Sequence, residues 1–323
     1  MIFLSKEESI SEIYSTKDSI YFAKEDVLLD INLKSITNLF KSTYIVDGIL
    51  YSNTPKELYF FDFQNQKFDS ILKLSEETSF FEVININNVI ACIEEEDEKL
   101  VMYNNRKQKW KIPYAPAYYN LLSENVFLLR NNYKTSQITN IDLEIVKPLW
   151  QYTLPEGFTI FKQPQIVDDV LFFDSFKNGN EENFVVGLDL KTGEVLWQLL
   201  FKIPYKEQLL ATTLHKENKL CYGYLGNLYQ IFNPISGKIV FEKEMNENIN
   251  PYTNAIYDNK LWFVSGKYEE CKFGYINLAN NELEFIQDFP QEDDEIFEIV
   301  YHQKKLYLRG KYYNNLYIFE REE

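Results

Sequence analysis

Gly187-Leu-Asp-Leu-Lys-Thr-Gly-Glu-Val-Leu-Trp197 reads as strand, tight turn, strand. An alternating run ends at Asp189, Lys191-Thr192-Gly193 turns the chain, and Val195 and Trp197 open the next strand on one face. Gly193 stands where the turn needs a positive φ, which a residue without Cβ adopts freely.

Outward from this stretch the design repeats. A polar residue closing the third strand of each unit recurs at Asn32, Asp62, Asn104, Asp142, Asp189, Asn233, Asn277 and Glu320. A large apolar residue follows eight positions later at Phe40, Trp150, Trp197, Phe241 and Phe285, and Trp110 stands six after Asn104. A second marker, a polar pair feeding an apolar strand, also occurs eight times, from Asp18-Ser19 to Lys304-Lys305. Both give eight units of four short strands, A to D, and no segment has a helical period with caps.

The expected architecture is all-β: an eight-bladed β-propeller of four-stranded blades, one domain over residues 1–323. Seven blades is the alternative, should the compressed first unit merge with its neighbour. The last unit stops after Leu316-Tyr-Ile-Phe319, without room for a fourth strand. Ile2-Phe-Leu4 is expected to fill that gap, so that the N-terminal strand closes the last blade and free sheet edges disappear. The D-strand Trp and Phe residues are expected in the seams between blades, each burying about 150–250 Å².

With Asp189, Thr192-Gly193 and Trp197, the opening stretch resembles the repeat of the pyrroloquinoline-quinone (PQQ) enzyme-like propellers. Asn233-Pro-Ile-Ser-Gly237-Lys-Ile-Val-Phe241 is a looser copy, and Asp142 to Trp150 and Asn277 to Phe285 keep the ends without the Gly. The resemblance implies eight blades. The family includes non-catalytic scaffolds, such as an outer-membrane assembly lipoprotein. Its catalytic members are much longer, bind the quinone with calcium and often carry an adjacent Cys pair. Here no two Cys are adjacent, so the resemblance implies a non-catalytic member without a cofactor.

Composition sets further bounds. The chain is 45% hydrophobic and 16% aromatic, which marks a folded protein. A net charge of -16 disfavours nucleic acid and anionic membranes and favours a basic partner. Cys92, Cys221 and Cys271 are scattered without a CxxC and read as buried thiols in a reducing compartment. The N-terminus lacks the apolar run of a secretory signal, and no stretch approaches the roughly 20 apolar residues of a membrane span. The expected location is the cytoplasm, and a monomer is the expected state. His215 and His302 are the two histidines, which excludes a His-rich metal site. No Gly-rich phosphate loop is present.

In a propeller the B–C and D–A loops share one face. That face is expected to carry the third unit's B–C run Glu94, Glu95, Glu96, Asp97 and Glu98, and the D–A run Glu292, Asp293, Asp294 and Glu295. Glu269 and Glu270 fall there too, as do Glu76-Glu77, Glu181-Glu182 and the aromatics Tyr118, Tyr119, Tyr133, Tyr268, Tyr312 and Tyr313. Exposed Tyr anchors interfaces, and surrounding acid steers a basic partner. The favoured reading is a non-enzymatic propeller whose acidic, Tyr-rich face docks a basic protein, with a bacterial immunity-type inhibitor of a toxin as one concrete form. The alternatives are a carbohydrate-active propeller using carboxylates at the channel mouth, and a small-ligand or calcium-binding one.

Overall fold

Asp189 ends its strand by folding its own carboxylate over the turn: Oδ1 accepts the amides of Lys191 at 2.9 Å and Thr192 at 2.7 Å. These bonds, that of Thr192 foremost, hold the Asp189 carboxyl below its ordinary pKa. The closing residues of other units do the same. Asp62 takes Gln64 and Asn65, Asn233 takes Ile235 and Ser236, and Asn277 takes Ala279. The repeat marker is thus an Asx turn, in which a short polar side chain satisfies amides that no strand partner reaches. In the first unit the closing residue is Asp30 rather than Asn32. The third strand there is only Val27–Leu29, and Asp30 Oδ1 takes the amides of Asn32 and Lys34. The A–B turns use left-handed Asp, Asn and Lys in place of glycine, as at Asp168, Lys219, Asp258-Asn259 and Lys304.

The computed structural model describes residues 1–321 except 17, 40–41, 47–48, 63, 77, 85–88, 95–98, 105–106, 113–118, 124–125, 132–134, 143–144, 146, 161–163, 178–181, 203–210, 216, 226, 251, 267–269 and 290–293. Among the described residues there is no α-helix, and the strands form eight sheets. Seven are built from consecutive segments within 10–38, 42–73, 78–112, 119–153, 158–202, 211–244 and 254–288. The eighth joins three strands within 296–320 to Ile2–Glu7. The N-terminal strand takes the fourth position there as expected, with Ile2 opposite Glu320 and Glu7 opposite Leu316. The fifth sheet has a divided first strand, Phe158–Ile160 and Gln165–Val167, both paired to Val170–Lys177.

The chain forms two compact units. One comprises Met1–Pro116, Tyr257–Trp262 and Lys267–Glu323, the other Ala117–Ile256 and Phe263–Gly266. In the first, Ile10, Ile20 and Phe22 of the first sheet pack on Val300, Tyr307 and Leu316 of the eighth. The opposite side of the first sheet, through Tyr14 and Leu28, meets Leu50 and Phe61 of the second. In the second unit, Val126, Ile138 and Trp150 of the fourth sheet pack on Phe173, Phe184 and Leu188 of the fifth. Phe172 and Val185 of the fifth then meet Cys221 and Phe232 of the sixth. The first and fifth sheets therefore bury both faces against their neighbours, which no single four-stranded sheet achieves alone.

The Trp–Gly pattern of the repeat has a specific packing cause. Trp150 lies under the next sheet's turn: its Nε1 donates to Leu190 O at 3.0 Å. Gly193, with φ +73°, rests on the indole, so that a Cβ there would come within 2.5 Å of the ring. Trp197 repeats the glycine-on-indole packing under Gly237, whose φ is +68°, but without the indole hydrogen bond. On its own sheet Trp197 lies across Gly187, where a Cβ would overlap the indole. The D-strand aromatics expected in the seams are thus found there at Trp150 and Trp197.

Candidate functional site

In an antiparallel sheet the start of the first strand and the loop between the second and third lie at the same end. In the eighth sheet these are residues 294–295, which lead into Ile296–His302, and residues 311–315, which link Lys305–Gly310 to Leu316–Glu320. The structure joins them closely. Asp294 Oδ1 accepts the amide of Tyr312 at 3.0 Å and that of Glu295 at 2.9 Å. The Lys311 amide donates to Glu295 O at 2.9 Å, and Gly310 N to Asn315 O at 2.8 Å. Glu295 Oε2 receives the Lys311 ammonium and the Tyr312 hydroxyl, both at 3.3 Å. Lys311 Nζ also lies 5.3 Å from the centre of the Tyr312 ring. Ile10 N donates to Asn314 O at 2.7 Å, so the segment leading into the first sheet meets the same loop.

This corrects part of the sequence reading. Asp294 is fully buried and Glu295 nearly so. Neither is presented to a partner. The carboxylate of Asp294 replaces water for two loop amides, and Glu295 is spent on Lys311 and Tyr312. What the two acids hold up is aromatic: Tyr312 is 47% exposed and Tyr313 55%. Phe297, 52% exposed, was missed in the sequence. Its signal was an aromatic at the second position of a first strand, beside the acidic run. Arg309 lies over the Phe297 ring at 5.0 Å.

Arg309 also binds Glu298, Nε to Oε2 at 2.8 Å, and reaches Asn314 Oδ1 at 3.4 Å. Burial raises the Glu298 pKa, the guanidinium opposes this, and the Glu12 carboxylate adds to the rise. Removing the two partners should therefore have unequal effects. Arg309→Met leaves a half-buried carboxylate unpaired and is expected to cost about 3 kcal/mol, whereas Glu298→Gln should cost about 1 kcal/mol or less. Urea denaturation of both variants checks the asymmetry; equal losses would contradict it.

The B–C loop of the seventh sheet ends at the same place. Phe289 N donates to Cys271 O at 2.8 Å, and burial pushes the Cys271 thiol up to about 11, against a backbone bond to Ile296 and aided by Glu295 and Asp294. The unfolded thiol ionises near 9, so the stability held by the protonated form is intact below pH 9 and lost as pH rises towards 11. Cys271→Ala is expected to flatten the alkaline limb of a Tm-against-pH curve, and iodoacetamide should label Cys271 only on unfolding. Labelling of the native chain at pH 8, read by peptide mass, would contradict this placement.

The remaining expected residues divide as follows. Glu270 is exposed. Glu94 is the last residue of Val89–Glu94, opposite Thr78 and Lys99, so the acidic run does begin at a B–C loop. Tyr119 opens the strand Tyr119–Ser123, opposite Leu129, rather than lying in a loop. Glu95, Glu96, Asp97, Glu98, Tyr118, Tyr133, Tyr268, Glu269, Glu292 and Asp293 lie outside the described residues. Among the described residues no cluster of three or more His, Cys, Asp or Glu could hold a metal ion, and no helix is long and apolar enough to cross a membrane.

No protein-family model matches the sequence, and no curated protein does so. Solved structures do resemble it. BamB from Moraxella catarrhalis is similar over 99% of both chains, with 11% identity and a TM-score of 0.55. The β-propeller domain of Cps50 (Swd1) from Myceliophteria thermophila is similar over 100% of this chain and 99% of that one, with 11% identity and a TM-score of 0.54. An Hsv2 of Kluyveromyces lactis with loop 6CD replaced covers 81% of this chain and 85% of its own, with 12% identity and a TM-score of 0.51. At such identity the likeness is one of fold alone: the chain is a β-propeller.

Proposed function

We propose that the chain is an eight-bladed propeller, closed by its N-terminal strand, that binds a basic protein through its B–C and D–A loop face and catalyses nothing. The observation that carries the reading is the display of Tyr312 and Tyr313 on a loop fixed by the buried carboxylates of Asp294 and Glu295, with Phe297 exposed on the strand that follows those carboxylates. Aromatic side chains held in place give up little entropy on binding and act as anchors. The charge of -16 supports the basic character of the partner, and the acidic run from Glu94 to Glu98 and residues Glu292 and Asp293 would add to the field. The eight sheets and the pairing of Ile2–Glu7 in the last one support the closed ring. Inhibition of a toxin, with this chain as the immunity protein of a bacterium, is one form such binding would take. The cytoplasm is the location this reading assigns.

The immobilised chain, exposed to an extract of its source cell, tests the proposal. A basic protein should be retained, released by rising NaCl, and bound about 30-fold more weakly by Y312A/Y313A, the loss two Tyr anchors represent. Equal retention by the variant, or retention indifferent to salt, would sink it.

A further inference from the structure

Among the described residues each of the eight sheets has an outer strand paired on one side, and seven of these edges are guarded. Ser35–Asn38 is only four residues long, Lys147–Thr153 contains Pro148, and the others carry two or more charges. Short length, proline and charge are the devices that stop edge strands from pairing with one another. The outer strand of the fifth sheet is eight residues long, has no proline and carries a single charge. This strand, Val195–Lys202, Val-Leu-Trp-Gln-Leu-Leu-Phe-Lys, has no charge before its last position. Among the described residues it pairs with Glu182–Asp189 alone. Trp197 and Leu199 turn inward to the cluster with Phe172, Val185 and Phe232. Leu196 and Leu200, on the other side with Gln198, are 48% and 54% exposed.

We infer that this edge seats a second copy of the chain, the two strands running antiparallel about a two-fold axis at Gln198. The strand is complementary to itself in that register. Leu196 of one copy falls opposite Leu200 of the other, twice, on either side of a Gln198–Gln198 pair. The acidic end at Glu194 comes alongside the basic end at Lys202. The bulge opposite Gly187-Leu188 has Leu196 as its extra residue, so regular pairing runs over Trp197 to Leu199 and the two leucine pairs flank it. The backbone bonds of the pair satisfy amides and carbonyls otherwise left to water, and a two-fold contact closes on itself without growing into a fibre. An unrelated strand would gain the backbone bonds without both leucine pairs and both charged ends. The rest of each copy is acidic, so salt that screens its repulsion should strengthen the dimer, opposite to its effect on a basic partner.

Sedimentation equilibrium of the purified chain, from about 1 to about 100 µM at low and high NaCl, tests this. The mass should double with concentration, sooner at high salt. L196K/L200K should remain monomeric with its Tm preserved. Under mild oxidation Q198C should give a disulfide-linked dimer, while L149C, on the outer strand of the fourth sheet and 56% exposed, should not. A monomer at every concentration would overturn the inference and leave the edge to a strand of another protein. So would a dimer untouched by L196K/L200K, or a mass that grows without limit.

Discussion

Gly310→Ala is expected to destabilise the protein by about 3 kcal/mol and to free the loop that follows, although Gly310 needs no unusual φ. The cause is space. A Cβ at residue 310 would overlap Asp294 Oδ2. That carboxylate is short, fully buried and held by the amides of Glu295 and Tyr312, so it has nowhere to swing. Strand Lys305–Gly310 or the loop beyond it must move instead, and Tyr312 and Tyr313 move with it. Asp294→Ala removes the obstacle but also the acceptor of both amides, so it destabilises by itself. In G310A/D294A the overlap is absent. The double variant should therefore be more stable than the sum of the single effects by about 1 kcal/mol or more. Strict additivity in urea denaturation would mean that the two residues do not meet.

Trp150→Ala should cost about 3–5 kcal/mol, the range for deleting a buried large aromatic. The side chain fills the junction between the fourth and fifth sheets, with Gly193 resting on the indole and Leu190 O taking its N–H. Trp150→Phe keeps much of the contact and loses the hydrogen bond, so about 1–2 kcal/mol is expected. Thermal and urea denaturation order the pair. An alanine variant that loses less than about 1 kcal/mol would contradict the packing assigned to the repeat.

These two positions also mark what the sequence made legible. The seam of Trp150 and Gly193 belongs to a repeated pattern, and repetition lets one clear copy interpret its weaker relatives. The missing fourth strand of the last unit could be inferred because four-stranded units leave a countable gap, and Ile2–Glu7 fills it. The contact of Gly310 with Asp294 occurs once. A run such as Glu292 to Glu295 reads as a solvated face, since charge is rarely buried without partners. Its partners here are backbone amides, a lysine and a tyrosine hydroxyl that arrive about 18 residues later, with no local spacing to announce them. The sequence alone suggests exposed carboxylates here, whereas the structure buries Asp294 and Glu295. They hold the aromatic surface in place, and Phe297, Tyr312 and Tyr313 form it.

Amide hydrogen exchange across residues 305–320 of the free protein addresses this most directly. If buried carboxylates pin the aromatic loop before any partner arrives, the amides of Gly310, Lys311 and Tyr312 exchange as slowly as those of the flanking strands. In Asp294→Ala the Tyr312 amide becomes fast. Exchange of these three amides in the wild-type chain at the rate of an open loop would contradict the account.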